Sequence, residues 1–279
     1  MKIIMTLLVR DEADILDENI KYHLSQGVDY VIATDNLSVD GTKEILDKYR
    51  KQGVLSYSLE DNDIFDQHTW VTRMARFAKT KFNADWVINN DADEFWWPEK
   101  GNLKSTLETL PSKVKAVSVN RSNFLPLAFD YPDCFYKQMI YREAYSINCL
   151  SRPLPGKVCH RAISDIHVAN GNHSVSINSE TLETNDAPII IFHFPMRSYK
   201  QFENKIVKGV TALERNKKIS SNVAGTWRML YSLWQNGQLK NYYKSQMINP
   251  IELEGYLVSG EIILDDRLKE YMSKFERML

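Results

Sequence analysis

Residues 86–97 read WVINNDADEFWW, and this stretch decides the fold. A short apolar strand, 86–90, runs straight into Asp91-Ala92-Asp93-Glu94. Upstream, residues 66–82 carry Trp70, Met74, Phe77, Ala78 and Phe82 at helical spacing. Before that come a strand over 54–59 and a helix that starts at Asp40-Gly41-Thr42, runs through Lys51 and stops at Gly53. Residues 29–34 form a strand. Residues 11–26 place Ile15, Leu16, Ile20, His23 and Leu24 on one helical face, closed by Gly27. Residues 2–9, KIIMTLLV, are apolar throughout, as in a strand buried on both faces. Strands alternating with helices predict an α/β domain with a mostly parallel sheet and helices on both faces. In such sheets ligands bind outside the carboxyl ends of the strands. Arg10-Asp11-Glu12, Asp35-Asn36, Asp61 with Asp63, and Asp91 with Asp93 all follow strand ends, which predicts an acidic rim along one edge.

The chain has 279 residues, 43% of them hydrophobic and 25% charged, which excludes a disordered chain, a collagen and a long coiled coil. A net charge of -1 argues against a dedicated nucleic-acid binder. Cys134, Cys149 and Cys159 have no CxxC spacing, so a reducing, cytoplasmic setting is expected rather than a disulfide framework. No apolar run reaches eighteen residues, and Arg10-Asp11-Glu12 follows the first run without a cleavage site, so neither a membrane span nor a leader is read.

Past residue 100 the pattern loosens. Residues 114–121 alternate like a half-exposed strand, 122–187 read as short strands and loops, and 188–194 (PIIIFHF) form a buried strand carrying His193. Tyr199, Phe202, Ile206, Val210 and Leu213 mark a helix, and 226–247 and 261–279 each read as one more. The organisation expected is an α/β half over 1–100, a loop-rich half of the same domain over 101–195, and a helical extension over 196–279.

Carboxylates two apart at a strand's end reach one hard cation, and Mg2+ or Mn2+ held this way keeps positions open for phosphates. A polar turn is the bland alternative for any isolated DxD. Here the preceding strand and the other acidic strand ends favour the metal.

The segments LLVRDEADIL, TDNLSVDGT and NNDADEFWW, in that order and spacing, resemble bacterial family 2 glycosyltransferases, and HFPMRSYKQFENK resembles a glycosyltransferase-like subgroup of that family. The resemblance implies a GT-A fold, a Rossmann-like mostly parallel sheet, here followed by C-terminal helices. It also implies inverting transfer from a nucleotide-sugar, with UDP the expected nucleotide. By that resemblance Val9, Arg10, Asp11 and Glu12 stand where the first strand meets the nucleotide. Asp35 and Asn36 match the second-strand end on the uracil or ribose side, and Ala92, inside the metal motif, counts among the nucleotide-binding residues of the 1–100 half, with the acceptor side falling to 101–195. Asp91 and Asp93 match the metal ligands, Asp93 the more direct, and His193 matches a histidine that completes the metal shell. The turn at 38–42, SVDGT, has a structural role: Asp40 as N-cap, Gly41 as a tight turn. The QxxRW motif of processive members is missing, as is the acidic motif that carries their base.

Two carboxylates are therefore candidates for the base: Asp165, in the loop-rich middle region, and Glu94, which alternatively orients ligands. His160, His167, His173 and His193 lack the tight spacing of a helical zinc site. His173, in the turn Gly171-Asn172-His173, is a candidate for the cleft edge, and His23 reads as a packing or surface residue. Arg73 and Lys205 are candidates to neutralise phosphate oxygens, although a solvated helix face explains such residues equally well. Trp96, Trp97, Phe124, Phe129, Tyr131, Phe135, Tyr136, Tyr141 and Tyr145 offer either a saccharide-stacking surface or a core. Trp227, Trp234, Tyr242 and Tyr243 beside Lys240 and Lys244 suit a peripheral contact with the inner membrane face, or a homodimer interface. The expected reaction is sugar transfer to a glycan or lipid-linked saccharide in cell-surface polysaccharide synthesis. The competing readings are a non-catalytic glycan-binding or scaffolding protein of the same fold, and a sugar nucleotidyltransferase. The last is disfavoured because Arg10-Asp11-Glu12-Ala13 stands where a Gly-rich loop would be.

Overall fold

The structure is a computed structural model describing residues 1–128, 134–217 and 224–276. The chain opens β1 (Ile3–Val9), α1 (Leu16–Ser25), β2 (Tyr30–Asp35), α2 (Thr42–Lys51), β3 (Leu55–Leu59), α3 (Gln67–Phe82), β4 (Trp86–Asn90). It continues β5 (Glu94–Pro98), α4 (Leu103–Glu108), β6 (Ala116–Val119), β7 (Arg121–Leu125), α5 (Phe135–Gln138), β8 (Tyr141–Glu143), β9 (Lys157–Arg161) and β10 (His167–Val168). Short strands β11 (Val175–Ile177), β12 (Glu180–Thr181) and β13 (Thr184–Asp186) lead to β14 (Ile189–His193). The remainder is α6 (Tyr199–Arg215), α7 (Gly225–Gln235), α8 (Leu239–Ser245), α9 (Leu253–Ser259), β15 (Ile262–Leu264) and α10 (Arg267–Glu276).

Two compact units divide the chain: Met1–Arg121 with Pro155–Ile191, and Ser122–Leu154 with Phe192–Leu279. The first is α/β. Its sheet has the order β13-β6-β9-β4-β1-β2-β3, and β1 pairs in parallel with both β2 and β4, as its unbroken apolar run requires. Only β9 runs against the other strands; it is antiparallel to β4 and to β6. Helix α3 buries Trp70, Val71, Met74, Ala75 and Ala78, and Asn83 closes it in the left-handed region at φ 50°. Phe77, expected on the same face, is 42% exposed and meets Phe82 edge to face instead.

The helix expected from residue 11 begins only at Leu16. The backbone N–H groups of Asp11, Glu12 and Ala13 are taken by Ser38 Oγ, Thr42 Oγ1 and Asp40 Oδ2, at 2.9, 3.0 and 2.9 Å. Those side chains compete successfully with a first helical turn.

In the second unit β8 pairs antiparallel with β7 and with β15. Phe124, Phe135, Phe192 and Phe194 stack into its core. The helix expected over 226–247 is two, α7 and α8, broken where Gly237 turns left-handed at φ 70°. The helix expected over 261–279 starts at Arg267, because Ile262–Leu264 is extended against β8. Helix α9 was not anticipated. Tyr243 is buried with Met196, Phe202, Ile206, Leu230 and Leu239, and Trp227 and Tyr242 pack on that cluster, so these aromatics serve a core. Phe129 and Tyr131 lie outside the described residues. Among the described residues no helix is long and apolar enough to cross a membrane.

Candidate active site

The carboxyl ends of β1, β2 and β3 in the first unit are joined by side chains. Arg10 donates to Asp63 Oδ1 at 2.7 Å and lies 3.5 Å from Asn36 Oδ1. Asn36 Nδ2 in turn donates to the carbonyls of Glu60 and Asn62 at 3.1 and 3.0 Å. Asp11 is held at φ 55°, and its Oδ1 accepts from the Val39 N–H at 2.8 Å. A non-glycine residue in the left-handed region costs about 1 kcal/mol or more and persists only where its surroundings dictate it. Here the segment 38–42 does so. Asp40 Oδ1 accepts from the N–H groups of Gly41 and Thr42 and from the Thr42 hydroxyl, at 3.0, 3.0 and 2.7 Å. Gly41 is extended at φ -160°, so Asp40 and not a glycine-only conformation shapes this turn.

The end of β4 is built differently. Asn19, fully buried on α1, donates to the carbonyls of Ala92 and Glu94 at 2.9 and 2.8 Å and accepts from Asn90 Nδ2 at 3.1 Å. One side chain thus brackets the whole DAD loop. His23, one turn later, puts Nδ1 2.8 Å from the Asn19 carbonyl and accepts the Trp96 N–H on Nε2 at 3.3 Å. Only the neutral ring can do both, and burial holds its pKa down to about 4.

The charges at this end are close packed. Glu94 is fully buried, with Oε1 3.2 Å from Lys157 Nζ and 3.3 Å from Arg121 Nη1; its Oε2 is buried without a hydrogen-bond partner. Burial pushes the Glu94 carboxyl up to about 7; Lys157 pulls it down and Asp91 pushes it further up. Lys157, with its side chain 2% exposed, also donates to Asp91 Oδ2. Asp91 Oδ1 accepts from Asn172 Nδ2 at 3.1 Å. Asp93 is buried, and its carboxylate offers an oxygen within 4.8 Å of one from Glu94. Lys157 reaches this edge because β9 is antiparallel: its first residue lies beside the carboxyl ends of its neighbours. Gly156 permits the approach, since a Cβ there would sit 2.6 Å from Ser118 Oγ and 3.1 Å from the Val119 carbonyl.

His173 lies by this cluster. Its Nδ1 donates to the Gly156 carbonyl at 2.8 Å, and burial followed by the nearby Lys157 lowers its pKa to about 4. Gly171, at φ 72°, makes the tight turn beneath the imidazole, where a Cβ would lie 2.4 Å from Nε2.

The structure thus gathers Arg10, Asp11, Glu12, Asp35, Asn36, Asp91, Ala92 and Asp93 at strand ends of one sheet, and Glu94 follows them as the first residue of β5. Arg73 is half exposed and pairs with Glu60 Oε2 at 3.5 Å, just past β3. Asp165 is not gathered there. It is exposed in a turn beyond the carboxyl end of β9, and its carbonyl faces Arg76 at 3.4 Å. An apolar cavity of 830 Å³ between α3 and strands β2 and β3 includes Arg73, Arg76 and Phe77 but none of the Asp91–Glu94 carboxylates. His193 and Lys205 belong to the second unit. Asn123 Nδ2 donates to Glu143 Oε2 at 3.0 Å, so its Oδ1 faces His193 Nδ1 at 2.7 Å as acceptor. Lys157, Asn19 and Arg121 are the site residues that sequence reasoning missed.

Residues 5–222 match the family model described as glycosyltransferase family 92. The chain belongs to glycosyltransferase family 92. That is a glycosyltransferase family, as the sequence resemblance implied, and the matching model is numbered 92. A comparison with curated proteins gives no match. Among solved structures the chain is similar to S. aureus TarS 1-349 in complex with UDP-GlcNAc, at 12% identity and TM-score 0.42 over 94% of this chain and 93% of that one. It matches another TarS 1-349 structure at 14% identity and TM-score 0.39, with 75% of this chain covered and 65% of that chain's length. Glucosyl-3-phosphoglycerate synthase from Mycobacterium tuberculosis, in complex with Mn2+, UDP and phosphoglyceric acid, matches at 14% identity and TM-score 0.33, over 58% and 56% of the two chains.

Proposed function

We propose that this family 92 enzyme transfers a sugar, with inversion, from a nucleotide-sugar, UDP-linked, to a saccharide or lipid-linked saccharide acceptor, and that it uses a divalent cation. The observation that carries the proposal is the carboxylate group at the end of β4. Asp93 and Glu94 present oxygens within 4.8 Å of each other, and the buried Glu94 Oε2 lacks a partner. Carboxylate oxygens suit Mg2+ or Mn2+. Asp93 would hold the ion. When bound, such an ion neutralises charge on a departing diphosphate.

The chain's own residues supply the remaining roles. Asn36 and Asp35, at the end of β2, would take the uridine side, and the Arg10 loop, fixed by Ser38, Asp40 and Thr42, would bound the nucleotide. Arg73 would add positive charge beside the phosphates. The acceptor hydroxyl attacks the anomeric carbon as the bond to the diphosphate breaks, and its proton passes to a carboxylate. Of the two candidates, Glu94 stands at the strand ends with a carboxyl pushed up to about 7, within the range useful for proton transfer at neutral pH. Asp165 has no such place.

Calorimetric titration of UDP and GDP, with and without manganese, tests this. Manganese-dependent binding of UDP, lost in Asp93→Ala, is expected. Binding of neither nucleotide under any metal condition would put the glycan-binding reading first.

A further inference from the structure

Lys157 sits where its charge works against a cation. Its ammonium donates to Asp91 Oδ2 and lies 3.2 Å from Glu94 Oε1, and its side chain is 2% exposed. Arg121, 11% exposed, lies 3.3 Å from the same Glu94 oxygen. The second oxygen of Asp91 accepts from Asn172, itself buried. Both Asp91 oxygens therefore have protein donors before any ion arrives. Among the described residues Lys157 thus faces Asp91 and Glu94, and Arg121 faces Glu94. A divalent ion entering here meets a site already largely neutralised, and is repelled by a fixed ammonium.

We infer that Lys157 is a resident counter-cation, a positioning residue that holds Asp91 and keeps the affinity of the Asp93 side for a divalent ion low until a nucleotide diphosphate adds its own negative charge. The inference rests on the cation-dependent reading above. It makes metal and nucleotide binding strongly coupled: each raises the affinity for the other by the same factor. An apolar side chain of similar length at position 157 would remove the repulsion and strengthen binding of the ion alone.

The test is calorimetric titration of MnCl2 into the intact protein, alone and in the presence of UDP, for wild type, Lys157→Met and Lys157→Arg. Wild type should bind Mn2+ weakly alone and about tenfold or more tightly with UDP. Lys157→Met should bind Mn2+ alone about tenfold more tightly than wild type, whereas Lys157→Arg should bind it as wild type does. A residue that merely props the fold would lower Mn2+ affinity when removed. Unchanged or weaker Mn2+ binding by a folded Lys157→Met, beside a wild type that binds Mn2+ and UDP, overturns the inference. If Lys157→Met does not fold, Arg121→Met carries the same test with the same sign. A wild type that binds Mn2+ under neither condition removes the cation-dependent reading itself, and that result is distinct from a failure of Lys157.

Discussion

The ends of β1 and β2 and the end of β4 lie on one edge of one sheet and are stabilised in opposite ways. At β1 and β2 each strained or orphaned backbone group meets a short polar side chain: Ser38, Asp40 and Thr42 serve the N–H groups of residues 11–13. At β4 the Asn19 amide holds two backbone carbonyls of the loop, the Glu94 N–H closes it onto the Asp91 carbonyl, and the side chains carry a dense, buried set of charges in which Glu94 Oε2 has no hydrogen-bond partner. A satisfied hydrogen-bond network rigidifies a loop. Buried charge that is only partly compensated does little for stability, and clusters at sites of chemistry. The first region is a clamp, and the second is where, on the function proposed above, a charged ligand would bind.

Substitutions break or sharpen that contrast, and their effects should fall in this order. Asp93→Asn should weaken manganese-dependent UDP binding by at least about 100-fold, with melting within a few degrees of wild type. Titration with UDP and a thermal melt check this together. Asn19→Leu should cost about 2–4 kcal/mol, because it strands the carbonyls of Ala92 and Glu94 and the amide of Asn90. Urea unfolding reads this, and an unchanged midpoint would remove Asn19 as the bracket of the DAD loop.

Acid should destabilise the core. His23 and His160 are buried, and burial lowers both to about 4, so the folded state binds fewer protons than the unfolded chain below pH 6.5. Their contribution to stability is present above that pH and is lost as pH falls from about 6.5 toward 4, on the order of 2–3 kcal/mol for each group. Urea midpoints across this window should fall, and His23→Gln should flatten the slope. Asp40→Ala should cost about 1 kcal/mol, as for loss of a capping side chain, with Mn2+ affinity unchanged. Asp165→Asn should be the quietest, within about 0.5 kcal/mol, with transfer activity near wild type in a UDP-release assay.

The contrast also explains what could be read from the chain. Apolar runs such as 2–9 and the face of α3 carry their own periodicity, so the parallel half of the sheet was legible element by element. Asp91, Asp93 and Glu94 were legible because they follow a strand end directly. Lys157 was not: nothing near Gly156 in sequence says that a strand arriving antiparallel will set its first side chain against Asp91. Asn19 left a weaker sign, a polar residue four before His23 on the buried face of α1. The C-terminal error has the same origin. Leu264, Leu268, Tyr271 and Phe275 fit a helix, but pairing of Ile262–Leu264 with β8 overrides that local spacing.

The division of labour along this edge is tested most directly by measuring Mn2+ affinity and melting temperature side by side in Asp93→Asn and Asp40→Ala. Loss of Mn2+ binding with melting retained in Asp93→Asn, and lowered melting with Mn2+ binding retained in Asp40→Ala, is the predicted result. Asp93→Asn that still binds Mn2+ as wild type does, or Asp40→Ala that loses Mn2+ while melting unchanged, would contradict it.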